Sequence, residues 1–223
     1  MKLFRTAALQ WAAGGTGASA AAETARSLAD EIALRDVVLV EGVSDQVAVE
    51  TLAARRGLNL DEEGISVLPL GGATSIGNFL DLFGPPGLNL GLAGLCDAGE
   101  ERHFQRGLER VGLGVDLTRE GMEHLGFYVC VDDLEDELIR ALGAAGVERV
   151  IEQEGDLRSF RTLQRQPAQR SWTLEQQLRR FMGSIGGRKA RYAGALVTAL
   201  GDAEAPRPLE LLVAHLAGLP RLG

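Results

Sequence analysis

Four short apolar runs, Val37–Val40, Ile65–Leu70, Leu90–Cys96 and Phe127–Val131, alternate with stretches of helical apolar spacing at Gln46–Arg56, Ser75–Phe83 and Glu100–Val111. An unbroken apolar run is the mark of a strand covered on both faces. A strand of that kind followed by a helix and another strand needs a crossover connection, which makes neighbouring strands parallel and the crossover right-handed. The alternation therefore predicts an α/β fold, a Rossmann-like four-stranded parallel sheet flanked by helices.

The flanks differ in kind. Residues 1–35 are alanine-rich and read as an N-terminal helical segment, broken at Gly14-Gly15-Thr16-Gly17. That glycine cluster is a linker and not a phosphate loop, since no strand precedes it and no Gly-Lys-Ser/Thr follows. The sheet unit is expected over 36–145. A helical C-terminal extension follows over 146–223, with helices at Leu174–Phe181, Arg188–Leu200 and, introduced by Pro206 and Pro208, Leu209–Leu216. No stretch approaches the roughly 20 apolar residues of a membrane span, so a cytoplasmic protein without membrane contact is expected. Cys96 and Cys130 lie inside apolar runs and read as buried strand thiols.

In an open α/β sheet, ligands bind outside the carboxyl ends of the strands. Three of the four runs end there in acids: Glu41 and Asp45 after the first, Asp97 after the third, Asp133 and Glu135 after the fourth. The second ends in Gly71-Gly72, a sharp turn. Helix capping explains most of these acids singly, Asp97 with Glu100 forming an acidic capping box. Glu41 resists that account, because it comes too early to cap the helix that Ser44 could cap. Several carboxylates at one sheet edge repel unless a cation neutralises them, and hard oxygen donors in that number select Mg²⁺ or Mn²⁺. Two such ions can activate a water and stabilise the leaving oxygen of a phosphodiester.

Charge is segregated along the chain. The net charge is −8, yet Arg158–Arg191 holds nine basic residues and one acid, so that segment carries +8 and the remainder −16. Phe160, Trp172, Phe181 and Tyr192 are interleaved with or adjoin these cations, a composition suited to phosphates and unstacked bases. Arg179, Arg180, Arg188 and Arg191 are the candidate nucleic-acid contacts. Of 23 basic residues only Lys2 and Lys189 are lysines. A compact ammonium at Lys189 suits the charge that develops on a phosphate oxygen.

These residues together resemble the TOPRIM domains, most closely those of the OLD (overcoming lysogenisation defect) nucleases. Val37-Val38-Leu39-Val40-Glu41-Gly42-Val43-Ser44-Asp45 is similar to the OLD-type opening, and Leu68-Pro69-Leu70-Gly71-Gly72 to the second strand and its turn. Asp97 matches the central aspartate, Asp133-Leu134-Glu135 the final acidic pair, and Lys189 the lysine near the scissile phosphate. The resemblance implies a nuclease in which Glu41, Asp97 and Lys189 are catalytic, and Glu41, Asp45, Asp97, Asp133 and Glu135 hold two Mg²⁺ or Mn²⁺ ions. DNA is the implied partner; because these residues contain no Walker loop, the chain is either a stand-alone TOPRIM protein or half of a split system with a separate ATPase subunit, and a homodimer is left open. The sequence departs from the family at Gly99, where a second aspartate is usual, so a second ion must draw on Asp133, Glu135 or Glu100. Two other readings stand beside this one: nucleotidyl transfer or phosphoester hydrolysis on another substrate, and a non-catalytic module that regulates a partner ATPase.

Overall fold

The computed structural model describes residues 1–183, 187–201 and 205–218; positions 184–186, 202–204 and 219–223 of the C-terminal extension lie outside the described residues. Two helices, α1 (Lys2–Ala12) and α2 (Ala18–Glu31), lead into β1 (Asp36–Val40). There follow α3 (Val43–Arg55), β2 (Ile65–Pro69), α4 (Ile76–Phe83), β3 (Gly91–Cys96), α5 (Glu101–Arg110), α6 (Arg119–His124) and β4 (Phe127–Val129). The chain closes with α7 (Leu134–Gln153), α8 (Leu157–Gln164), α9 (Leu174–Met182), α10 (Arg188–Ala199) and α11 (Arg207–Leu216).

All four strands pair in parallel in the order β2-β1-β3-β4. The four apolar runs are thus the four strands, each within two residues of its expected end. Past Val129 the Cys130 N–H still donates to the Cys96 carbonyl at 2.9 Å, and the Val131 N–H is taken by the buried Glu137 carboxylate at 2.8 Å, which holds the turn into the next helix. From β1 the chain crosses to β2 on one side, and from β3 to β4 on the other. The carboxyl ends of β1 and β3 consequently form a topological switch point, where such sheets open a crevice.

Successive strand residues serve opposite faces. Val37 and Leu39 pack with α1, α2, α4, α5 and α6 through Phe4, Ala25, Phe79 and Phe104. Val38 and Val40 pack with α3, α7, α8, α9, α10 and α11 through Leu52, Leu138, Phe181, Leu196 and Leu212. The C-terminal helices are therefore part of the core on one face. The alternation also explains Gly94: a Cβ there would lie 2.6 Å from the Phe127 ring and 2.8 Å from the Leu39 carbonyl oxygen, so only glycine fits. Phe160, Phe181 and Tyr192 stack edge-on at 5.2 and 6.1 Å, tying α8, α9 and α10 together. Cys96 and Cys130 are buried free thiols, and burial pushes both well above the ordinary thiol range. Among the described residues no helix is long and apolar enough to cross a membrane.

Candidate active site

Glu41 and Asp97 are the residues immediately after β1 and β3, on adjacent strands at the switch point. The Asp97 N–H donates to Glu41 Oε1 at 2.6 Å, so the two ends are stitched together across the crevice. Asp97 sits at the start of a short 3-10 turn and its side chain caps nothing. The capping-box expectation for Asp97 and Glu100 fails here, because the turn begins with the Asp97 carboxylate aimed elsewhere. Among the described residues that carboxylate receives no hydrogen bond.

The neighbouring acids come from helix starts. Asp45, in the first turn of α3, accepts from the Gly42 N–H at 2.8 Å and is 8% exposed. Gly42, not Ser44, is the residue that precedes this helix. Asp133 caps α7 by accepting from the Asp136 N–H at 2.9 Å, and Glu135 lies two residues on in the same first turn, 6% exposed. Gly71 and Gly72, at φ +70° and +130°, turn the chain away from β2 and leave room beside Asp45. A cavity of about 510 Å³ is lined by Glu41, Asp45, Asp97, Gly72, Gly187 and Lys189, with Val43 on its rim.

Burial and charge crowding together set the ionisation of this pocket. Burial, then Glu41, Asp45, Asp133 and Glu135, push the Asp97 carboxyl up to about 8. Burial raises Asp45 to about 6 against the help of the Gly42 N–H, and raises Glu41 above its ordinary value despite its bond from Asp97. Lys189, in the first turn of α10, reaches Glu135 Oε1 at 3.0 Å. Burial alone would lower its pKa, but Glu135, Asp45 and Asp97 outweigh that and hold the ammonium above its usual range. All five acids and the lysine named from sequence are thus brought within electrostatic reach of one another.

The four arginines divide. Arg179 on α9 pairs with Asp133 and so touches the acid cluster. Arg180 is exposed, with no ion pair among the described residues. Arg188 lies over the Phe181 ring at 4.3 Å and reaches Asp156 at 3.8 Å. Arg191 pairs with Asp156 and with Glu154 at 3.5 Å. Those two anchor α10 against the chain. Two participants were not visible beforehand: Asp156, which gathers Arg188, Arg191 and the Tyr192 hydroxyl, and Glu137, which holds the turn after β4. Nothing short-range marks either, since their partners lie more than thirty residues away or across a turn.

Residues 34–98 match the family model described as Overcoming lysogenization defect protein-like, TOPRIM domain. Over that segment the chain is similar to an OLD-like TOPRIM domain. Similar solved structures extend the likeness past that segment. The C-terminal region of the Xanthomonas campestris pv. campestris OLD protein is 28% identical, covers 83% of this chain and 95% of that one, and superposes with a TM-score of 0.64. The C-terminal region of the Burkholderia pseudomallei OLD protein is 25% identical over 83% and 98%, also at 0.64. No curated protein matches. The OLD-like TOPRIM domain points to a nuclease-type function, and TOPRIM domains generally bind divalent metal ions.

Do the residues suit such an ion? Among the described residues no three His, Cys, Asp or Glu side chains stand in a metal-holding arrangement. In this conformation Asp133 and Glu135 are taken up by Arg179 and Lys189. The donor set fits in kind nonetheless: it is all hard carboxylate oxygen, and Asp97 presents an uncompensated, crowded carboxyl at its centre. A second cavity, of about 430 Å³, opens at the opposite ends of β1 and β3 beside Asp36 and Gly91. Its Asp36 is already paired with Arg35 at 2.6 Å, and it lies at the wrong end of the strands for a switch-point ligand.

Proposed function

We propose that this chain is a metal-dependent phosphodiester hydrolase that cuts DNA, with Mg²⁺ or Mn²⁺, two ions, as cofactor. The carrying observation is the loading of Asp97 by four other carboxylates in a pocket that also holds Lys189. Burial of that carboxyl together with the repulsion of its neighbours destabilises a fold unless a cation is part of the working state. Glu41, Asp45 and Asp97 would hold it, joined by Asp133 and Glu135 once their cations move. The bound ions supply an activated water and stabilisation for the leaving oxygen.

The chain's own side chains do the rest. Lys189 remains protonated among the carboxylates and places a compact positive charge beside the position of a phosphate, where it favours the more highly charged transition state. Glu41, stitched to the Asp97 N–H, fixes the spacing of the two strand ends. Arg179 offers a second cation to the phosphodiester when it leaves Asp133. The proposal includes a TOPRIM unit over 36–145 with flanks at 1–35 and 146–223, a cytoplasmic setting, and an ATPase acting with the nuclease.

A supercoiled-plasmid assay with Mn²⁺ tests this reading. Nicked and linear product is expected, and Glu41→Ala, Asp97→Ala and Lys189→Ala should each reduce it by at least about a hundredfold, the scale of a lost electrostatic catalytic group. Undiminished cutting by both acid variants would overturn it.

One observation favours a second reading. Five of the nine cations in 158–191, namely Arg161, Arg179, Arg188, Lys189 and Arg191, are paired with acids of the same chain. That is the pattern expected if the site takes a small phosphoester or transfers a nucleotidyl group. DNA binding that ignores salt, together with turnover of a small phosphodiester, would select it over DNA cleavage.

A further inference from the structure

A groove of about 360 Å³ runs along α9, lined mainly by apolar surface and formed by Trp172, Gln176, Arg179, Arg180 and Gly183. Trp172 is 40% exposed, one of few large hydrophobic side chains that the fold leaves in water. Its backbone is nonetheless held firmly. The Trp172 N–H donates to the Gln169 carbonyl at 3.2 Å. Gln177 Nε2 donates to the Trp172 and Gln169 carbonyls at 3.3 and 2.8 Å. The next residue, Thr173, caps α9 by accepting from the Gln176 N–H at 3.3 Å. An exposed indole on an anchored turn is a preformed flat surface, with little ordering left to be lost on binding.

Its surroundings say what it would accept. Arg179 and Arg180 line the groove itself, and Arg158, Arg165 and Arg170 of the same C-terminal segment are likewise exposed and, with Arg180, have no ion pair among the described residues. Arg179 lines the groove and at the same time pairs with Asp133 of the acid cluster. Through that ion pair the groove is tied to Asp133, whose charge acts on Asp97 in the carboxylate pocket. An apolar ring face flanked by guanidinium groups complements a nucleobase joined to its phosphates, and does not complement an apolar helix or an acidic peptide without rings.

We propose that this groove is a base-stacking subsite. It receives an unpaired nucleobase of the strand whose phosphate lies at the acid pocket, so the favoured substrate is single-stranded or locally unwound DNA. The assignment rests on the reading of the site as a DNA-cutting centre and deepens it. Base-paired DNA keeps its ring faces stacked inside the duplex and cannot fill the groove without paying for unstacking.

The sequence holds two tryptophans, Trp11 and Trp172. In Trp11→Phe, the indole fluorescence of the full chain reports on Trp172 alone. Titration with an oligothymidylate in EDTA should give saturable quenching, and an abasic strand of equal length, with the same phosphates, should give little. Trp172→Ala should weaken binding of the oligothymidylate roughly tenfold, as loss of one stacked base does. Trp172→Phe should stay within a few-fold of the native chain, and duplex binding should not respond to either change. Equal quenching by the abasic strand, or unchanged oligothymidylate binding by Trp172→Ala, overturns the subsite. Cleavage with Mn²⁺ separates the two claims. Quenching without any DNA cleavage sinks the nuclease reading and leaves the subsite standing; cleavage of single strands at an unchanged rate by Trp172→Ala does the reverse.

Discussion

Asp97 shows how a residue can be costly to the fold and necessary to the site. Burial and four neighbouring carboxylates raise its folded pKa to about 8, whereas in the unfolded chain it ionises at its ordinary value. A raised carboxyl pKa leaves stability intact at low pH and erodes it as pH climbs from about 4 toward 8. Asp97→Asn removes that erosion. Its metal-free melting temperature at pH 7 should exceed that of the native chain by a few degrees, the equivalent of about 1 kcal/mol at this size. The same variant should lose the Mn²⁺-induced rise in melting temperature and lose cleavage. A variant less stable than the native chain at pH 7 would mean the crowding is illusory. Gly99 gives the converse experiment. A Cβ built there meets nothing within 4 Å, and its φ is not positive, so Gly99→Asp can be accommodated. It supplies the second aspartate that the resemblance to TOPRIM domains implies at this position. Calorimetry should show tighter Mn²⁺ binding by several-fold; unchanged affinity would mean that Asp133 and Glu135 already complete the second position.

At the level of elements, α10 must be held still for Lys189 to be placed. Asp156 does this, taking Arg188, Arg191 and the Tyr192 hydroxyl, the last at 3.0 Å. Asp156→Asn should lower kcat by about tenfold with KM little changed, the signature of a misplaced transition-state group, while the circular dichroism spectrum stays native. A matching fall in thermal stability with unchanged kcat would make Asp156 merely structural. A second tie crosses the sheet edge at β4, where Arg207 of α11 meets Glu123 of α6 at 2.8 and 2.9 Å. The Arg207 hydrogen bonds hold the Glu123 carboxyl below its ordinary 4.5. A depressed acid stabilises above the unfolded value and loses that contribution as pH falls through the folded one. Glu123→Gln should therefore cost under about 1 kcal/mol at pH 7, as exposed pairs do, and nothing near pH 3, measured by urea melts at both. The strands and the helices α3, α4, α5, α9, α10 and α11 were legible in the sequence because apolar spacing is local. Glu41, Asp97 and Lys189 were legible because strand ends and a rare residue type are local too. What was not legible required distant partners: the pairing of Asp133 with Arg179 spans 46 residues, and nothing near Asp156 announces Tyr192.

For the whole molecule, the decisive fact is that the −16 and +8 portions of the sequence are folded against each other around one sheet. Alpha helices from the basic segment bury Phe160, Leu178 and Phe181 in the core that also holds Val38 and Val40, so the cations are carried on the fold and not on a free tail. Pairing then sorts them. Arg188 and Arg191 are spent on anchoring α10, while Arg158, Arg165, Arg170 and Arg180 face solvent. The acidic remainder repels a polyanion at long range, so attraction by this segment comes from these four, beside the site cations Lys189 and Arg179, at short range, within a Debye length of about 8 Å at physiological salt. DNA binding should therefore be weak overall and steeply salt-dependent, with each neutralised phosphate contributing about 0.7 of a unit on a single strand, or about 0.9 on a duplex, to the slope of log affinity against log salt. Replacing all four exposed arginines by alanine should cut that slope by about three to four units and leave the melting temperature within a few degrees. Arg188→Ala and Arg191→Ala should do the opposite, lowering stability while barely changing the slope. If the slope instead followed Arg188 and Arg191, their ion pairs with Asp156 would have to open on binding, and α10 itself would be the moving part of the site.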